Sequence, residues 1–275
     1  MRVGIIGGTG VYDPSMLSNI RERTVDTPYG AASVRIGELR SEEVAFLTRH
    51  GAGHTVPPHM INHRANIAAL KMLGVQRVIA TSAVGTLNPR IQPGSFVFLD
   101  QFIDFAKLQV HTFFDGGEHG LVHMDYTEPY CPEIRGILAA KARELGIQAA
   151  DGGCYVCTDG PRFETPAEIR MFKLMGGDVV GMTSVPETVL AREAQICYSS
   201  IAMATNWAAG ISKTALTHHE VVEIMQANGE KLRSLIIAAI EAMPASRGCS
   251  CAAAGVAMPW LDQYREAHWG KEGAV

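Results

Sequence analysis

Short apolar runs alternate with stretches whose apolar positions recur at helical spacing along most of this chain. The run Val3–Ile6 ends in Gly7-Gly8-Thr9-Gly10, which reads as a strand stopping at a glycine turn. Val34–Ile36 and Val44–Leu47 read as a hairpin pair. INHRANIAALKMLG, from Ile61 to Gly74, is helical and stops at a glycine. VQRVIATSAVG and SFVFLD read as buried strands, followed by an amphipathic helix, PEIRGILAAKARELG. GCYVCTD is a strand, TPAEIRMFKLMGG a helix with proline in its first turn, DVVGMTS a strand and VPETVLAREAQ a helix. ICYSSIAMATN is a long apolar strand, and THHEVVEIMQANGEKLRSLIIAAIEAM a long helix opened by a candidate capping box, Thr217 with Glu220. Strands alternating with helices predict an α/β fold built on a largely parallel central sheet. One domain is expected over 1–243. An Ala- and Gly-rich tail follows over 244–275, partly docked through Trp260 and Trp269 or flexible.

The 275 residues are 47% hydrophobic and 19% charged, enough for a well-buried core. A net charge of −4 without a basic block gives no footprint for nucleic acid. No apolar run approaches the roughly 20 residues that cross a bilayer. The chain enters structure at once, without a leader pattern, so a cytoplasmic location is expected. Of six cysteines, Cys154 and Cys157 form a CxxC on a strand, where alternation sends them to opposite faces; no metal is expected there. Cys131 and Cys197 read as small core residues. Cys249-Ser250-Cys251 reads either as two free thiols on a floppy tail or as a tight disulfide.

A glycine turn after a strand offers backbone N–H groups to an anion. A dinucleotide fits poorly, because Asp13 stands where the fingerprint needs its third glycine and the next segment lacks a βαβ rhythm. Arg49 and His50 follow one β-type run, Ser82 and Ala83 end another, and Thr183 ends a third. Strand ends on one side of an α/β sheet converge on a crevice. An arginine fork, hydroxyls and glycine-flanked N–H groups there suit a free phosphate.

GGTG, RHG with a following His, TSAVGTL, IQPGSFVFLDQFID, TDGPRFET, MTSVPE and IAMATN occur in this order. That set resembles the trimeric purine nucleoside phosphorylases and methylthioadenosine phosphorylases over about 3–240. The resemblance implies a single-domain nucleoside phosphorylase-like fold, a distorted central mixed sheet flanked by helices, assembled as a homotrimer or homohexamer. It implies cleavage of ribosides by inorganic phosphate as co-substrate, with no metal or organic cofactor. The implied phosphate ligands are Thr9, Arg49, His50, Ser82, the Ala83 N–H and Thr183.

Base and sugar choice then fall on other residues. Phe163 can stack on a purine. A carboxylate at Glu164 can accept from N1–H of a 6-oxopurine, and the Asn206 amide can donate to O6 and accept from a protonated N7. Adenine, whose N1 is an acceptor, leaves Glu164 unpaired. Adenine-directed members of the family resemble one another in carrying serine at the position of Glu164 and Asp at those of Asn206 and Ala208; this chain departs at all three. Trp207 and Ala208 flank the amide. His218 stands where the resemblance places a ligand for a 5′-hydroxyl, Met182 and Val222 offer apolar surface, and His123 matches a position that reaches a neighbouring subunit's site. The expected activity is phosphorolysis of inosine and guanosine, with S-methyl-5′-thioinosine phosphorolysis as the alternative. A hydrolytic nucleosidase gives no reason for Arg49 and Thr9, and a non-catalytic binding protein no reason for a full ligand set.

Overall fold

The structure, a computed structural model, describes residues 3–8, 16–40, 42–51, 53–212 and 218–269, with side chains of the last segment from 221 onward. Thr9, Gly10, Asp13, the Thr217–Glu220 capping box and the His218 side chain lie outside the described residues. The strands are β1 (Val3–Gly7), β2 (Ser18–Thr27), β3 (Gly30–Leu39), β4 (Glu42–Thr48), β5 (Arg77–Thr86), β6 (Phe96–Phe98), β7 (Gln101–Asp104), β8 (Ala149–Asp151), β9 (Cys154–Cys157), β10 (Val179–Gly181) and β11 (Cys197–Trp207). The helices are α1 (His63–Met72), α2 (Pro132–Glu144), α3 (Pro166–Leu174), α4 (Ser184–Glu193), α5 (His218–Glu241), α6 (Cys251–Ala254) and α7 (Pro259–Trp269).

All the strands join one sheet, ordered β2-β3-β4-β1-β5-β10-β9-β7, with β11 bridging β5 and β6, and β6 pairing β8. The sheet is mixed: β5 runs parallel to β1 and β11 but antiparallel to β10, and β3 is antiparallel to β2 and β4. The expected hairpin of Val34–Ile36 with Val44–Leu47 is the β3–β4 pair. Apolar residues of β1, β5 and β11 are buried on both faces, so these strands read as continuous apolar runs.

Two irregularities make the crevice. Pairing of β1 with β5 stops at Ile6–Ala80, and pairing of β10 with β5 occupies only Gly85 and Thr86. Between them, residues 81–84 keep β11 on one edge while the other edge faces the gap where the sheet splits. Opposite, the β11 register slips between Ala204 and Asn206, a bulge that re-aims the side chains at the strand's end. Local chemistry sets the helix ends around this gap. Asn62 caps α1 by accepting from the Ala65 N–H, and Thr165 with Glu168 forms a capping box on α3 behind Pro166.

Strand β2 carries no apolar stripe and was not expected. It is a largely exposed outer strand held by cross-strand pairs such as Arg35 with Glu22, 2.9 Å apart. The tail over 244–269 contains two helices, also not expected from its composition. Met258 and Leu261 are buried, the Trp260 indole N–H donates to the Tyr29 hydroxyl at 3.1 Å, and Arg23 stacks 4.4 Å above the Trp269 ring.

Candidate active site

Arg49 follows β4, and its backbone N–H donates to Gly7 O at 3.1 Å, continuing the β1–β4 ladder past both strands. Its buried guanidinium donates from Nε and Nη2 to the carboxylate of Glu187, the second of these bonds being 2.8 Å, and from Nη1 to Thr81 O at 2.8 Å. Of five N–H groups, this leaves one on each terminal nitrogen. Glu187 also accepts from the Tyr198 hydroxyl at 2.7 Å, and His63 Nδ1 lies 3.7 Å away. Burial opposes charge on both members of the pair, yet each holds the other ionised: Arg49 is raised and Glu187 lowered. Gly8 packs against this arginine. A Cβ at Gly8 would meet Thr81 O at 2.3 Å and Arg49 Nη1 at 2.6 Å, so only glycine lets the backbone approach, and the Gly8 N–H donates to Thr81 Oγ1 at 2.9 Å.

His50, next along, bonds through Nδ1 to Val56 O at 2.9 Å. Burial first, and then the Arg49 charge, lower its pKa to about 4, so the ring is neutral at pH 7. With its Nδ1 hydrogen on a carbonyl, Nε2 is an acceptor. The buried Ser82 Oγ has no hydrogen-bond partner among the described residues. Thr183 is the N-cap of α4; its N–H donates to the Tyr155 hydroxyl at 3.1 Å and its side chain does no capping. The open N-terminus of α4 adds a favourable field for an anion.

Arg49, His50, Ser82 and Thr183 line a cavity of about 340 Å³ together with Phe163, Glu164, Asn206, Ala83, Ala208 and Met182, a size suited to a small organic ligand. Glu164 accepts from the Thr158 hydroxyl at 2.8 Å, and burial pushes its carboxyl above the ordinary range. The Asn206 amide is oriented at both ends: Thr205 Oγ1 donates to Oδ1 at 2.8 Å and Nδ2 donates to Trp207 O at 2.9 Å. One hydrogen on Nδ2 and one lone pair on Oδ1 remain for a ligand. Phe163 is half-exposed at the rim.

Three of the other sequence candidates, Trp207, Val222 and His123, fall outside this lining. Trp207 contributes its carbonyl to Asn206, not its ring to the cavity. Val222 is not in the lining; Val221, one position earlier and so turned about 100° around α5, is there in its place. His123 is exposed on the connection after β7 and does not line the cavity. Thr9 and the His218 side chain are outside the described residues. Glu187, Tyr198 and Thr158 are not among the sequence candidates, although they orient Arg49 and Glu164. One signal was available: Glu187 lies four residues after Thr183, hence on the same face of α4.

One cysteine reading changes and one holds. Cys249 and Cys251 are not on a floppy tail: the Cys249 Sγ lies 3.3 Å from that of Cys197, and Cys251 is buried. Cys131 and Cys197 are core residues that share this contact.

Residues 2–241 match the sequence model of the Phosphorylase superfamily. The chain is 59% identical over 254 residues, 92% of its length and 98% of the relative's, to a protein of Moorella thermoacetica named "Probable 6-oxopurine nucleoside phosphorylase". It is 49% identical over 251 residues, 90% of this chain and 87% of the other, to a Methanothermobacter thermautotrophicus protein named "Probable S-methyl-5'-thioinosine phosphorylase". Among solved structures, methylthioadenosine phosphorylase from Schistosoma mansoni superposes with a TM-score of 0.86 at 34% identity, covering 90% of this chain and 93% of that one. By sequence and by fold, the chain belongs to the phosphorylase superfamily.

Proposed function

We propose that the protein cleaves 6-oxopurine nucleosides such as inosine and guanosine with inorganic phosphate, giving the free base and ribose 1-phosphate. The observation that carries this reading is one cavity lined both by Arg49, His50, Ser82 and Thr183 and by Glu164 and Asn206. The first set suits a tetrahedral oxyanion. Arg49 supplies charge and two N–H groups, Ser82 a hydroxyl in search of a partner, and His50 Nε2 an acceptor for the proton of monohydrogen phosphate. The second set matches a 6-oxopurine, with Glu164 taking N1–H and Asn206 bridging O6 and a protonated N7. The Moorella relative's name accords with this assignment.

In the reaction, a phosphate oxygen bonds to C1′ as the C1′–N9 bond breaks, and the bonding pair leaves with the purine. Phosphate stabilises the positive ribosyl group, and Asn206 stabilises charge arriving on the base. Thr9, at the glycine turn, completes the phosphate set, and Met182 and Phe163 enclose sugar and base. The reaction needs no cofactor. Exposed Leu108, Val110 and Leu121, on the same connection as His123, support assembly as a homotrimer or homohexamer in which that loop meets a neighbour. The cytoplasm is the expected compartment.

A second reading, S-methyl-5′-thioinosine as the preferred substrate, is favoured by Val221 and Met182 in the lining. His218 would serve a 5′-hydroxyl in the first reading. The test is ribose 1-phosphate formation from inosine with and without phosphate, in parallel with 5′-methylthioinosine. Product that requires phosphate supports phosphorolysis; base release without phosphate refutes it. A preference for methylthioinosine by orders of magnitude would select the second reading.

A further inference from the structure

Four cysteines from three distant segments meet at one point. Cys131 is the N-cap of α2, Cys197 opens β11, and Cys249 and Cys251 flank Ser250 at the start of α6. Their Sγ atoms all lie within 4.8 Å of one another, three of the residues buried and Cys249 partly exposed. Among the described residues, no other group of three or more His, Cys, Asp or Glu side chains is so arranged.

We infer that Cys131, Cys197, Cys249 and Cys251 form a structural Zn²⁺ site that fastens the C-terminal tail to the phosphorylase body. Four thiolates at about 2.3 Å from a tetrahedral zinc stand about 3.8 Å apart. Reaching that geometry opens the Cys197–Cys249 contact of 3.3 Å slightly and closes no pair by more than about 1 Å. All four ligands are sulfur and the cluster is closed on itself, the donor set of a structural rather than a catalytic site. Cys249, at the surface, gives a metal its way in.

The stretch leading into the CxC is held in place residue by residue. Arg77 donates to Ser246 O at 2.8 Å, Arg247 donates to Gln195 O at 2.8 Å, and the Gly248 N–H donates to Glu133 Oε1 at 2.9 Å. The Cys131 N–H donates to Tyr198 O at 2.8 Å, fixing the remaining pair beside each other. The arrangement is therefore preorganised. Binding is balanced by proton release: Zn²⁺ replaces the protons of four thiols, which go to solvent. The site lies at the far end of β11 from Asn206, about 30 Å along the strand at 3.3 Å per residue. It thus acts on stability and not on the reaction, and the inference stands apart from the assignment of substrate.

The test uses the full chain, stripped of metal and fully reduced under anaerobic conditions, titrated with Co²⁺ and then Zn²⁺. The expected result is about one Co²⁺ per chain with tetrahedral ligand-field bands and sulfur-to-metal charge transfer, displaced by Zn²⁺ with release of protons. Cys249→Ser and Cys251→Ser should each abolish the spectrum, Cys154→Ser should keep it, and phosphorolysis should continue in all three. Zinc should raise the unfolding temperature of the parent but not of Cys249→Ser. The inference is overturned if the reduced parent, with all its thiols titratable, takes up no more Co²⁺ than Cys249→Ser. It is also overturned if the purified protein carries two disulfides among these four cysteines and, once reduced, still gives no tetrathiolate spectrum.

Discussion

Glu187 holds Arg49 by a two-point ion pair, its carboxylate taking the Nε and Nη2 hydrogens of a side chain that is 1% exposed. Arg49 thereby presents a fixed edge to the cavity, although its neighbour in sequence, His50, is neutral. Glu187 does not line the cavity; it positions the residue that does.

Glu187→Gln should therefore raise the KM for phosphate by roughly ten- to a hundredfold, the worth of a charge-assisted hydrogen bond, with a smaller change in the KM for inosine. Removing one member of a buried pair also costs about 3–5 kcal/mol of stability, so kinetics belong at low temperature. Glu187→Asp should recover part of the phosphate affinity. Equal changes in both KM values would reduce Glu187 to a structural role.

In the proposed function, base choice rests on Glu164 and Asn206, which line one cavity. Glu164→Gln places an amide where N1–H needs an acceptor, and one flip of the amide can restore part of the bond. Glu164→Ala cannot, and should cost inosine more of its kcat/KM than Glu164→Gln does. Asn206→Asp puts a carboxylate against O6 and should lower kcat/KM for inosine by about a hundredfold or more. Steady-state rates on inosine and adenosine check both. Loss shared equally by the two substrates would mean that neither residue reads the base.

Acidification should reveal Glu164 directly. Its ionised form accepts N1–H, and burial raises its pKa. The active form is then lost, as pH falls, at a higher pH than for an exposed glutamate near 4.3. The acid limb of kcat/KM for inosine should sit above that value and vanish in Glu164→Gln. Persistence of the limb in the variant would assign it elsewhere.

Stability should also fall with pH, for a separate reason. His50 and His63 are buried and neutral, each lowered from 6.5 to about 4, chiefly by burial. The unfolded chain binds these protons first, so stability is full above pH 6.5 and declines as pH falls toward 4, by up to about 3 kcal/mol per ring. His63→Met should flatten the slope of unfolding free energy between pH 7 and 5 by one proton's share. An unchanged slope would contradict the assignment.

The order of strands and helices was legible because β5, β11 and the major helices carry their burial as plain apolar periodicity. Strand β2 was hidden, since an exposed outer strand of alternating charge has no apolar face to show. The mixed sense of the sheet followed from the resemblance and not from the residue pattern, which predicts a largely parallel sheet: the antiparallel β10–β5 contact spans only two residue pairs and has no local signature. Ser82 and Ala83 do not end a strand as expected but lie inside β5, which continues to Thr86, at the point where the sheet splits. Arg49 and Thr183 could be placed together because α/β sheets gather strand ends. The cysteine cluster could not, because its members are brought together by tail packing. Val222 was displaced by Val221 for a simpler reason, that a helix turns through about 100° per residue and sequence alone does not fix its rotation.

The most direct test of the central claim is the ratio of kcat/KM for inosine to that for adenosine, at saturating phosphate. The Glu164–Asn206 arrangement predicts a ratio of about 10³ or more, the discrimination available when a mismatched base leaves buried polar groups unpaired. A ratio near one, or in favour of adenosine, would contradict it.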